Sequence, residues 1–406
     1  MKVLAITSSY PRYEGDATAP FVESIVRGVA ELGHDVHVLV PEHHEWRRPE
    51  SEGRVHFHRY RYSPVPSWTP WGFSESLEGG VRIRKSLYPL APAVVAAAAR
   101  AARSLLAKGG FDVVHAHWVI PNGPIGRLAV RGKLPLVVSL HGSDIAVSER
   151  SRAIARATRW TFERSAAVTA PSRDLLERAR GLGARGLLDC VPYGADVEAL
   201  TAPSGAAATM RARLGLDADD IVVAGIGRLI PVKGFEYLIE AHARGVGDIP
   251  RLRLLLVGDG TLREQLGRRA RELGVADSVI FAGMAARDEI PAYLAAADVV
   301  VVPSIRHEGY VDGLPNVALE AMAAGRPLVA SRVGGLPDLV RAGETGVLVE
   351  EKDSVGLAAA IVELARDGEL RHRLGVAGRA EIRAHRSWKV VAERFVDVYE
   401  GAIAVS

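Results

Sequence analysis

Two charged segments of this sequence combine residue types that could bind a phosphorylated ligand. The first runs from Gly227 to Gly234 and contains Arg228 and Lys233, two cations five residues apart in a turn rich in Gly and Pro. Cations placed where a strand ends and a helix begins can converge on a diphosphate through charge-assisted hydrogen bonds. The alternative interpretation is that both are ordinary surface charges on a loop.

The second segment carries three carboxylates. Asp312 and Glu320 lie eight residues apart, and Glu308 precedes Glu320 by twelve. Glu320 falls in a predicted helix beside residues that are typical of a packed core, and a carboxylate held there suits recognition of ribose or hexose hydroxyls. Alternatively, Asp312 caps the helix and Glu320 faces solvent.

The start of that predicted helix offers backbone donors to the same kind of ligand. Pro315 fits the first helical position, so the amides after Gly313, beginning with Leu314, can face an anion at the positive end of the helix dipole. Two better-known phosphate motifs are excluded. The dinucleotide fingerprint fails because Ile230 stands where its third glycine is required, and no Gly-x-x-x-x-Gly-Lys-Ser/Thr sequence occurs.

Histidines at predicted strand ends form a third group. His141 follows an apolar strand and precedes Gly-Ser-Asp144, where an imidazole could reach a reaction centre; otherwise it is a structural hydrogen-bonding group. His117, Trp118 and Asp144 could form part of an acceptor surface, on which an aromatic ring can stack against a sugar ring.

Metal binding is not predicted. His115 and His117 lie two residues apart, as do His56 and His58, but neither pair has a third ligand at a recognisable spacing. The sequence Asp-Ala-Asp at 217–219 precedes a strand instead of following one, so we interpret it as a turn.

The elements that must position these residues follow from the hydrophobic pattern. Short apolar runs alternate with helical patterns along both halves of the chain, which is typical of parallel sheets covered by helices. A non-periodic Ala-, Pro- and Ser-rich stretch from Ala202 to Ala208 separates the halves. We therefore predict two doubly wound domains, residues 1–200 and 201–386, with ligands at the carboxyl ends of their strands.

Composition excludes several classes of protein. With 51 Lys and Arg against 48 Asp and Glu, the chain lacks the basic excess of a nucleic-acid binder. One cysteine, Cys190, permits no disulfide framework. The chain starts with a predicted strand instead of a signal peptide, and its longest apolar stretch is interrupted by Arg100, so we expect a cytoplasmic protein without a transmembrane segment.

One segment could contact the inner face of a membrane peripherally. It runs from 81 to 108 and mixes cations with Ala, Leu and Val, as an anionic lipid surface would require. The alternative is the solvated face of a core-packing helix. The cations are Arg82, Arg84, Lys85, Arg100, Arg103 and Lys108.

Taken together, the motifs resemble the retaining glycosyltransferases of family 4, which have the two-domain GT-B fold. The resemblance rests on GRLIPVKG, HEGYVDGLPNVALEAMAAG, VGGLPDLV and ETGVLV in the second half, and on SSYPRYEGDATAPFV, DVVHAHWVIPNG, LHGSD and VPYGAD in the first. It implies two Rossmann-like domains facing across a cleft, with the donor on residues 201–386 and the acceptor on residues 1–200. The last helix, 387–403, would cross back onto the first domain.

The resemblance also assigns roles at the donor site. Glu320 matches the second glutamate of the family's E-x7-E motif and would hold the ribose hydroxyls. Asp312 occupies the first position by spacing, with Glu308 as the alternative sugar-contacting acid. Arg228 and Lys233 would bind the diphosphate and stabilise the charge that develops as the nucleotide leaves.

Further contacts are implied with less specific signals. Gly15 would let the backbone approach the phosphates, or is a plain turn glycine. Asn316 would add a polar contact near the diphosphate, or merely starts the helix. Met284 would lie near the base through its backbone, although a core position suits a methionine better. His141 would reach the transferred sugar.

The function implied is metal-independent, cofactor-free, retaining transfer of a hexose from a UDP-, GDP- or ADP-sugar to a glycan, lipid-linked or small-molecule acceptor, as in polysaccharide biosynthesis. Two rivals remain at this stage. One is a sugar-nucleotide epimerase on the same fold, which needs no acceptor. The other is a catalytically silent nucleotide-sugar binder, against which His141, Arg228, Lys233 and Glu320 together argue.

Overall fold

The computed structural model describes residues 1–16, 18–63, 65, 68–73, 77–78, 82–83 and 85–406. The chain divides by its contacts into two compact units, Met1–Pro192 with Trp388–Ser406, and Tyr193–Ser387. The chain thus leaves the first unit earlier than the boundary predicted at residue 200 and returns to it at the last helix. Among the described residues, no helix combines the length and apolar character needed to cross a bilayer.

An eight-stranded sheet forms the centre of the first unit, in the order β10-β9-β8-β7-β1-β2-β4-β3. Every pairing in it is parallel except that of β3 with β4. A separate two-stranded ribbon pairs β5 with β6. The strands are β1 Lys2–Ile6, β2 Asp35–Pro41, β3 Ser51–Glu52, β4 Val55–Tyr60, β5 Leu77–Glu78, β6 Arg82–Ile83, β7 Val113–His117, β8 Leu136–Ser139, β9 Ala167–Ala170 and β10 Leu187–Cys190.

Helices cover both faces of this sheet. Alternate residues of β1 point to opposite sides, so Leu4 and Ile6 pack in one core and Val3 and Ala5 in the other. The helices are α1 Pro20–Glu31, α2 Ala91–Ala107, α3 Val119–Val130, α4 Ser143–Arg150, α5 Arg152–Phe162, α6 Arg173–Gly181 and, at the end of the chain, α15 Trp388–Ala404.

The C-terminal helix α15 belongs to the core of the first unit. Phe395 and Tyr399 of α15 are buried in the same core as Val3 and Ala5 of β1. Helix α1 packs closely against it at Gly28, where a Cβ would lie 2.8 Å from the Cβ of Ala392. The absence of a side chain at Gly28 therefore permits the close approach of the two helices.

The second unit has a six-stranded parallel sheet in the order β13-β12-β11-β14-β15-β16. Strand β14 is buried along its whole length, as its uninterrupted Val run predicts. The strands are β11 Ile221–Ile226, β12 Leu252–Val257, β13 Val279–Gly283, β14 Val299–Val302, β15 Leu328–Ser331 and β16 Val347–Val349. The helices are α7 Ala206–Arg213, α8 Phe235–Gly245, α9 Arg263–Glu272, α10 Ile290–Ala296, α11 Asn316–Ala323, α12 Leu336–Leu339, α13 Ser354–Arg366 and α14 Gly368–His385.

Each main sheet reverses its strand order at one point. In the second unit the reversal lies between β11 and β14, and in the first unit between β1 and β7. Crevices for ligands form outside the carboxyl ends of parallel strands at such points. The predicted fold class, with two doubly wound α/β domains, is confirmed. The predicted site residues lie at the carboxyl ends of strands, in the loops that follow strands or, for Asp144, Asn316 and Glu320, in the helices after those loops.

Candidate active site

The loop after β11 is locked against the loop after β14. It contains a 3₁₀ turn, Pro231–Lys233, followed by Gly234 with a φ of 66°. A Cβ on Gly234 would lie 2.0 Å from the carbonyl oxygen of Pro303, so no other residue fits there without displacing backbone. Ile305 also donates its backbone N–H to the oxygen of Val232. The two strand-end loops therefore have a fixed register.

That register joins two predicted site residues in an ion pair. Lys233 Nζ lies 2.5 Å from Asp312 Oδ2, and the two side chains are only 16% and 20% exposed. Gly334 supports Asp312 from behind, since a Cβ there would lie 2.3 Å from the Asp312 carbonyl oxygen. Partial burial of a paired lysine and carboxylate keeps both charges in one geometry. A cation and an acid are thus presented together at the strand-order reversal.

Glu320 lies in α11 and is half-buried. Burial raises the pKa of the Glu320 carboxyl, and the positive charges of Arg287 and Lys233 act in the opposite direction. The Glu320 carboxylate therefore interacts electrostatically with Arg287 and with Lys233 of the Lys233–Asp312 pair. Its environment is that of a hydroxyl-binding or charge-balancing group more than that of a solvated surface residue.

Helix α11 begins one residue later than the sequence indicates. Pro315 has a φ of −64° and a ψ of 119° and immediately precedes the helix, which starts at Asn316. Gly313 and Leu314 are buried and Asn316 is half-buried. The Ala318 amide donates to the Pro315 oxygen, and the earlier amides of this helix start stay predicted donors for an anion.

The remaining predicted donor residues have different environments. Arg228 is exposed after β11, where its guanidinium is accessible to an anion. Glu308 is exposed and has a φ of 47°. It lies in a turn that is closed by two backbone hydrogen bonds between His307 and Tyr310. Asp312 contacts Lys233 directly. The choice between Asp312 and Glu308 as the sugar-contacting acid stays a prediction.

Two expectations about single residues change. Met284 is 74% exposed, so the interpretation as a core methionine is wrong. Gly15 has a φ of 85°, and a Cβ there would meet nothing within 4 Å. The backbone conformation, and not a close approach within the protein, therefore accounts for glycine at position 15.

In the first unit, His141 follows β8 and lies among aromatic rings. Its ring centroid is 4.4 Å from that of Trp118 and 4.9 Å from that of Phe21. Its Nε2 lies 3.3 Å from Nδ1 of His117. Burial, with a smaller effect of His117, holds the pKa of His141 well below its ordinary value, so the imidazole is neutral near pH 7.

The predicted acceptor roles of His117 and Asp144 need correction. His117 is fully buried and offers no surface to a sugar. Asp144 is 3% exposed, and its carboxylate accepts the backbone N–H groups of Val119, His141, Gly142 and Ile145. Burial raises the pKa of Asp144, and these four hydrogen bonds counteract that effect. Asp144 thus fixes the loop that carries His141, while Trp118 remains half-buried.

One group of potential metal ligands occurs in the described part of the chain, at His43, His44 and Glu45. Its atoms already have other partners. Glu45 Oε2 forms an ion pair with Arg12 at 2.5 Å, and Nδ1 of His43 accepts the backbone N–H of Glu45 at 3.2 Å. His43 Nδ1 and Glu45 Oε2 could bind a metal only if these two interactions were lost.

Sequence reasoning missed three contributors to these sites. Arg287 follows β13, as Met284 does, so the position after a predicted strand is a sequence signal for it. Gly334 lies in a quoted motif, but only the structure shows its contact with Asp312. Tyr399, which hydrogen-bonds to His115 at 2.8 Å, comes from a helix 284 residues away in sequence, and no local signal indicates that pairing.

Comparison with known proteins agrees with this geometry. Residues 207–381 match the family described as glycosyl transferases group 1, and residues 17–194 match the glycosyl transferase 4-like domain. A GDP-mannose-dependent alpha-(1-6)-phosphatidylinositol monomannoside mannosyltransferase of Mycobacterium tuberculosis is 33% identical over 98% of both chains. A D-inositol 3-phosphate glycosyltransferase of Acidothermus cellulolyticus is 34% identical over 76% of this chain and 71% of its own.

Solved structures show the same fold. Sucrose-phosphate synthase from Thermosynechococcus elongatus superimposes with a TM-score of 0.77 at 24% identity, covering 100% of both chains. Anabaena HepE in complex with UDP has a TM-score of 0.73 at 23% identity, covering 98% of this chain and 100% of its own. The chain belongs to the family 4-like glycosyltransferases, with their GT-B fold, and is a glycosyltransferase.

Proposed function

We propose that the protein is a retaining hexosyltransferase whose second unit binds a nucleoside diphosphate sugar. The observation that carries this proposal is the Lys233–Asp312 ion pair at the strand-order reversal, with Glu320 within its electrostatic influence. A diphosphate needs cations and backbone donors, and a sugar needs carboxylates for its hydroxyls. All of these groups occur within the second unit.

Each residue then has a defined task. Lys233 and exposed Arg228 bind the diphosphate oxygens and stabilise the charge that grows on them as the glycosidic bond breaks. Asp312 accepts hydrogen bonds from the transferred sugar while it holds the Lys233 ammonium in place. Glu320 accepts from the ribose hydroxyls, and Asn316 with the first amides of α11 adds donors to the phosphate side.

The anomeric configuration is retained if the acceptor attacks the sugar from the same face from which the leaving group departs. The bond between the anomeric carbon and the diphosphate oxygen breaks, and a bond to the acceptor oxygen forms on the same face. The departing phosphate oxygen takes the acceptor's hydroxyl proton, so the proton is accounted for without a protein base. Cations of the protein stabilise the leaving group, so we propose that no metal ion is required.

The relatives narrow the choice of substrates. A GDP-mannose-dependent mannosyltransferase matches over almost the whole chain, and two groups of relatives act on inositol compounds by their names. We therefore propose GDP-mannose as the donor and an inositol phosphate, free or as the headgroup of a lipid, as the acceptor class. A lipid acceptor would bring the protein to a membrane surface.

A transfer assay tests the substrates. Purified protein is incubated with GDP-mannose, UDP-glucose or ADP-glucose and with inositol 3-phosphate or phosphatidylinositol, and products are resolved by mass spectrometry. We expect mannosylation of an inositol acceptor, undiminished in EDTA, with the donor's anomeric configuration kept in the product's NMR spectrum. Release of an epimerised sugar nucleotide without acceptor, or an inverted product, would contradict the proposal.

Membrane contact is a separate part of the proposal. Of the segment 81–108, Val81 and Arg84 lie outside the described residues, and α2 buries Val94, Ala98 and Leu105 in the core. Arg100 and Lys108 remain exposed and can face anionic lipid headgroups. Flotation with vesicles containing phosphatidylinositol should carry the protein upward at low salt and not at high salt. Equal recovery with neutral vesicles would contradict this contact.

A further inference from the structure

Two neutral histidine rings meet at the ends of neighbouring strands β7 and β8. His117 Nδ1 lies 3.3 Å from His141 Nε2, and the ring planes differ by 18°. Burial lowers the pKa of His117 to about 3 and holds the pKa of His141 well below its ordinary value. Each ring therefore carries a single proton near pH 7, and only one of the two facing nitrogens can be the donor.

The surroundings of His117 decide which nitrogen that is. Its Nε2 is buried and has no hydrogen-bond partner among the described residues. A buried N–H without an acceptor is rarer and more costly than a buried lone pair without a donor. The proton of His117 therefore belongs on Nδ1, which donates to Nε2 of His141. His141 must then carry its own proton on Nδ1.

A rigid neighbour supports the His117 ring from behind. The ring of His115 lies 4.0 Å away, centroid to centroid. Its two nitrogens contact the hydroxyls of Tyr399 at 2.8 Å and Ser139 at 2.6 Å, and Ser139 in turn contacts Thr169 at 2.6 Å. His115 is held at both nitrogens, so the plane of the ring packed on it is held as well.

We propose that His117 is a positioning residue that fixes the tautomer and ring plane of His141, so that His141 presents Nδ1–H as a hydrogen-bond donor. The chemical consequence rests on the proposed function. An imidazole protonated at Nδ1 can donate to a sugar or acceptor oxygen from that nitrogen but cannot remove a proton with it. His141 then orients or stabilises an oxygen, in agreement with a mechanism in which the leaving phosphate is the base.

Nitrogen-15 NMR of the full-length protein with labelled histidine tests the tautomer, since protonated and bare ring nitrogens resonate far apart. The signals of His141 are those missing from His141→Gln protein. We expect Nδ1 of His141 to be protonated in the wild type. In His117→Phe, which keeps a flat ring without the donor, His141 should shift towards the Nε2–H form that free imidazole side chains prefer.

The matched variant is His117→Asn, whose amide nitrogen can take the place of Nδ1 as a donor. It should keep His141 protonated at Nδ1. A wild-type His141 protonated at Nε2, or the same His141 pattern in wild type and His117→Phe, would overturn the proposal. The wild-type spectrum decides the first point even if a variant fails to fold.

Turnover separates this proposal from the proposed function. We expect His117→Phe to lower kcat by about tenfold or more, by analogy with the residues that orient metal-bound imidazoles, with an unchanged donor KM. His117→Asn should recover most of the loss. A changed tautomer with unchanged kcat would support the positioning role and contradict the role of His141 in transfer. Equal losses in both variants, with wild-type spectra, would show that His117 only packs.

Discussion

Lys233 is the residue whose removal should reduce turnover most. Its ammonium is paired with Asp312 at 2.5 Å and is proposed to stabilise the departing diphosphate. We expect Lys233→Ala to lower kcat by about 100- to 1,000-fold, the loss typical of one preorganised electrostatic group. Steady-state kinetics with GDP-mannose measure the effect. Lys389→Ala, the same substitution at an exposed position of α15, is the control and should leave kcat unchanged.

The contribution of Glu320 to the free energy of unfolding should change with pH in the opposite direction to that of an ordinary ion-paired carboxylate. Burial raises the pKa of its carboxyl, so the native state binds this proton more tightly than the unfolded chain. Its contribution to the free energy of unfolding therefore falls as pH rises from the ordinary carboxyl pKa through the raised one. Glu320→Gln, which cannot ionise, should gain stability relative to wild type between about pH 4 and about pH 8.

Urea denaturation at both pH values measures this difference. The control is Glu264→Gln, since the Glu264 side chain is 92% exposed. For Glu264→Gln the difference from wild type should be the same at both pH values. A Glu320→Gln difference that is equally independent of pH would contradict the assigned cause of the pKa shift.

Residue types and spacing are enough to group the charged residues of the second unit, but not to describe the buried residues of the first unit. Lys233 and Asp312 follow neighbouring strands, so the strand-end rule was enough to group them. The sequence predicts an acceptor role for His117 and Asp144 because they lie beside Trp118 and His141, but it does not show that both side chains are buried. Their burial and their internal hydrogen bonds come from packing between distant segments, which sequence spacing does not encode.

At the scale of elements, the contact between the strand-end loops can be tested with a pair of glycines. Gly234 and Gly215 have nearly the same φ, 66° and 67°, but a Cβ would meet the Pro303 oxygen at 2.0 Å in the first and nothing within 4 Å in the second. Both alanine variants incur left-handed backbone strain of about 1–2 kcal/mol. Gly234→Ala should lose about 1–3 kcal/mol more, because its Cβ forces the loops apart.

Denaturation of both variants, with donor binding by calorimetry, measures the two effects. Gly234→Ala should also weaken donor binding, since displacement of the loop separates Lys233 from Asp312. Gly215→Ala should bind the donor as the wild type does. Equal loss of stability in the two variants would mean that the loops part without cost.

The hydrophobic pattern predicted the main strands of both sheets but not all of them. Strand β4 reads VHFHRY, with His and Arg between its apolar residues, and β16 has only three residues. Strands such as these depend on neighbouring strands more than on their own composition. The predicted start of α11 at Pro315 is one residue earlier than its actual start at Asn316, because a proline fits both the first helical position and the position before it.

At the scale of the whole molecule, the first unit is made from two separate parts of the sequence. Helix α15 buries Val391, Phe395 and Tyr399 in the core that also contains β1. We expect a fragment of residues 1–192 to remain incompletely folded, because that apolar surface would be exposed to water. Addition of a peptide of residues 388–406 should restore a cooperative unfolding transition.

Circular dichroism and thermal unfolding measure the restoration. The matched peptide carries Phe395→Ala, which should bind about 3–5 kcal/mol more weakly, as for large-to-small changes in a core. A peptide with Ile403→Ala, at a residue 39% exposed, should act like the wild type. Cooperative unfolding of residues 1–192 alone would contradict this dependence.

The closely packed pair of helices at Gly28 and Ala392 also has a consequence for synthesis. On the ribosome all of the second unit, Tyr193–Ser387, is synthesised before Trp388 is added. During that time α1 exposes the face that α15 will cover. At about 5–20 residues per second that delay lasts roughly 10–40 s, long enough for chaperones or proteases to reach the nascent chain. We therefore expect proteases to cleave prematurely terminated chains first in the first unit, whose core lacks α15.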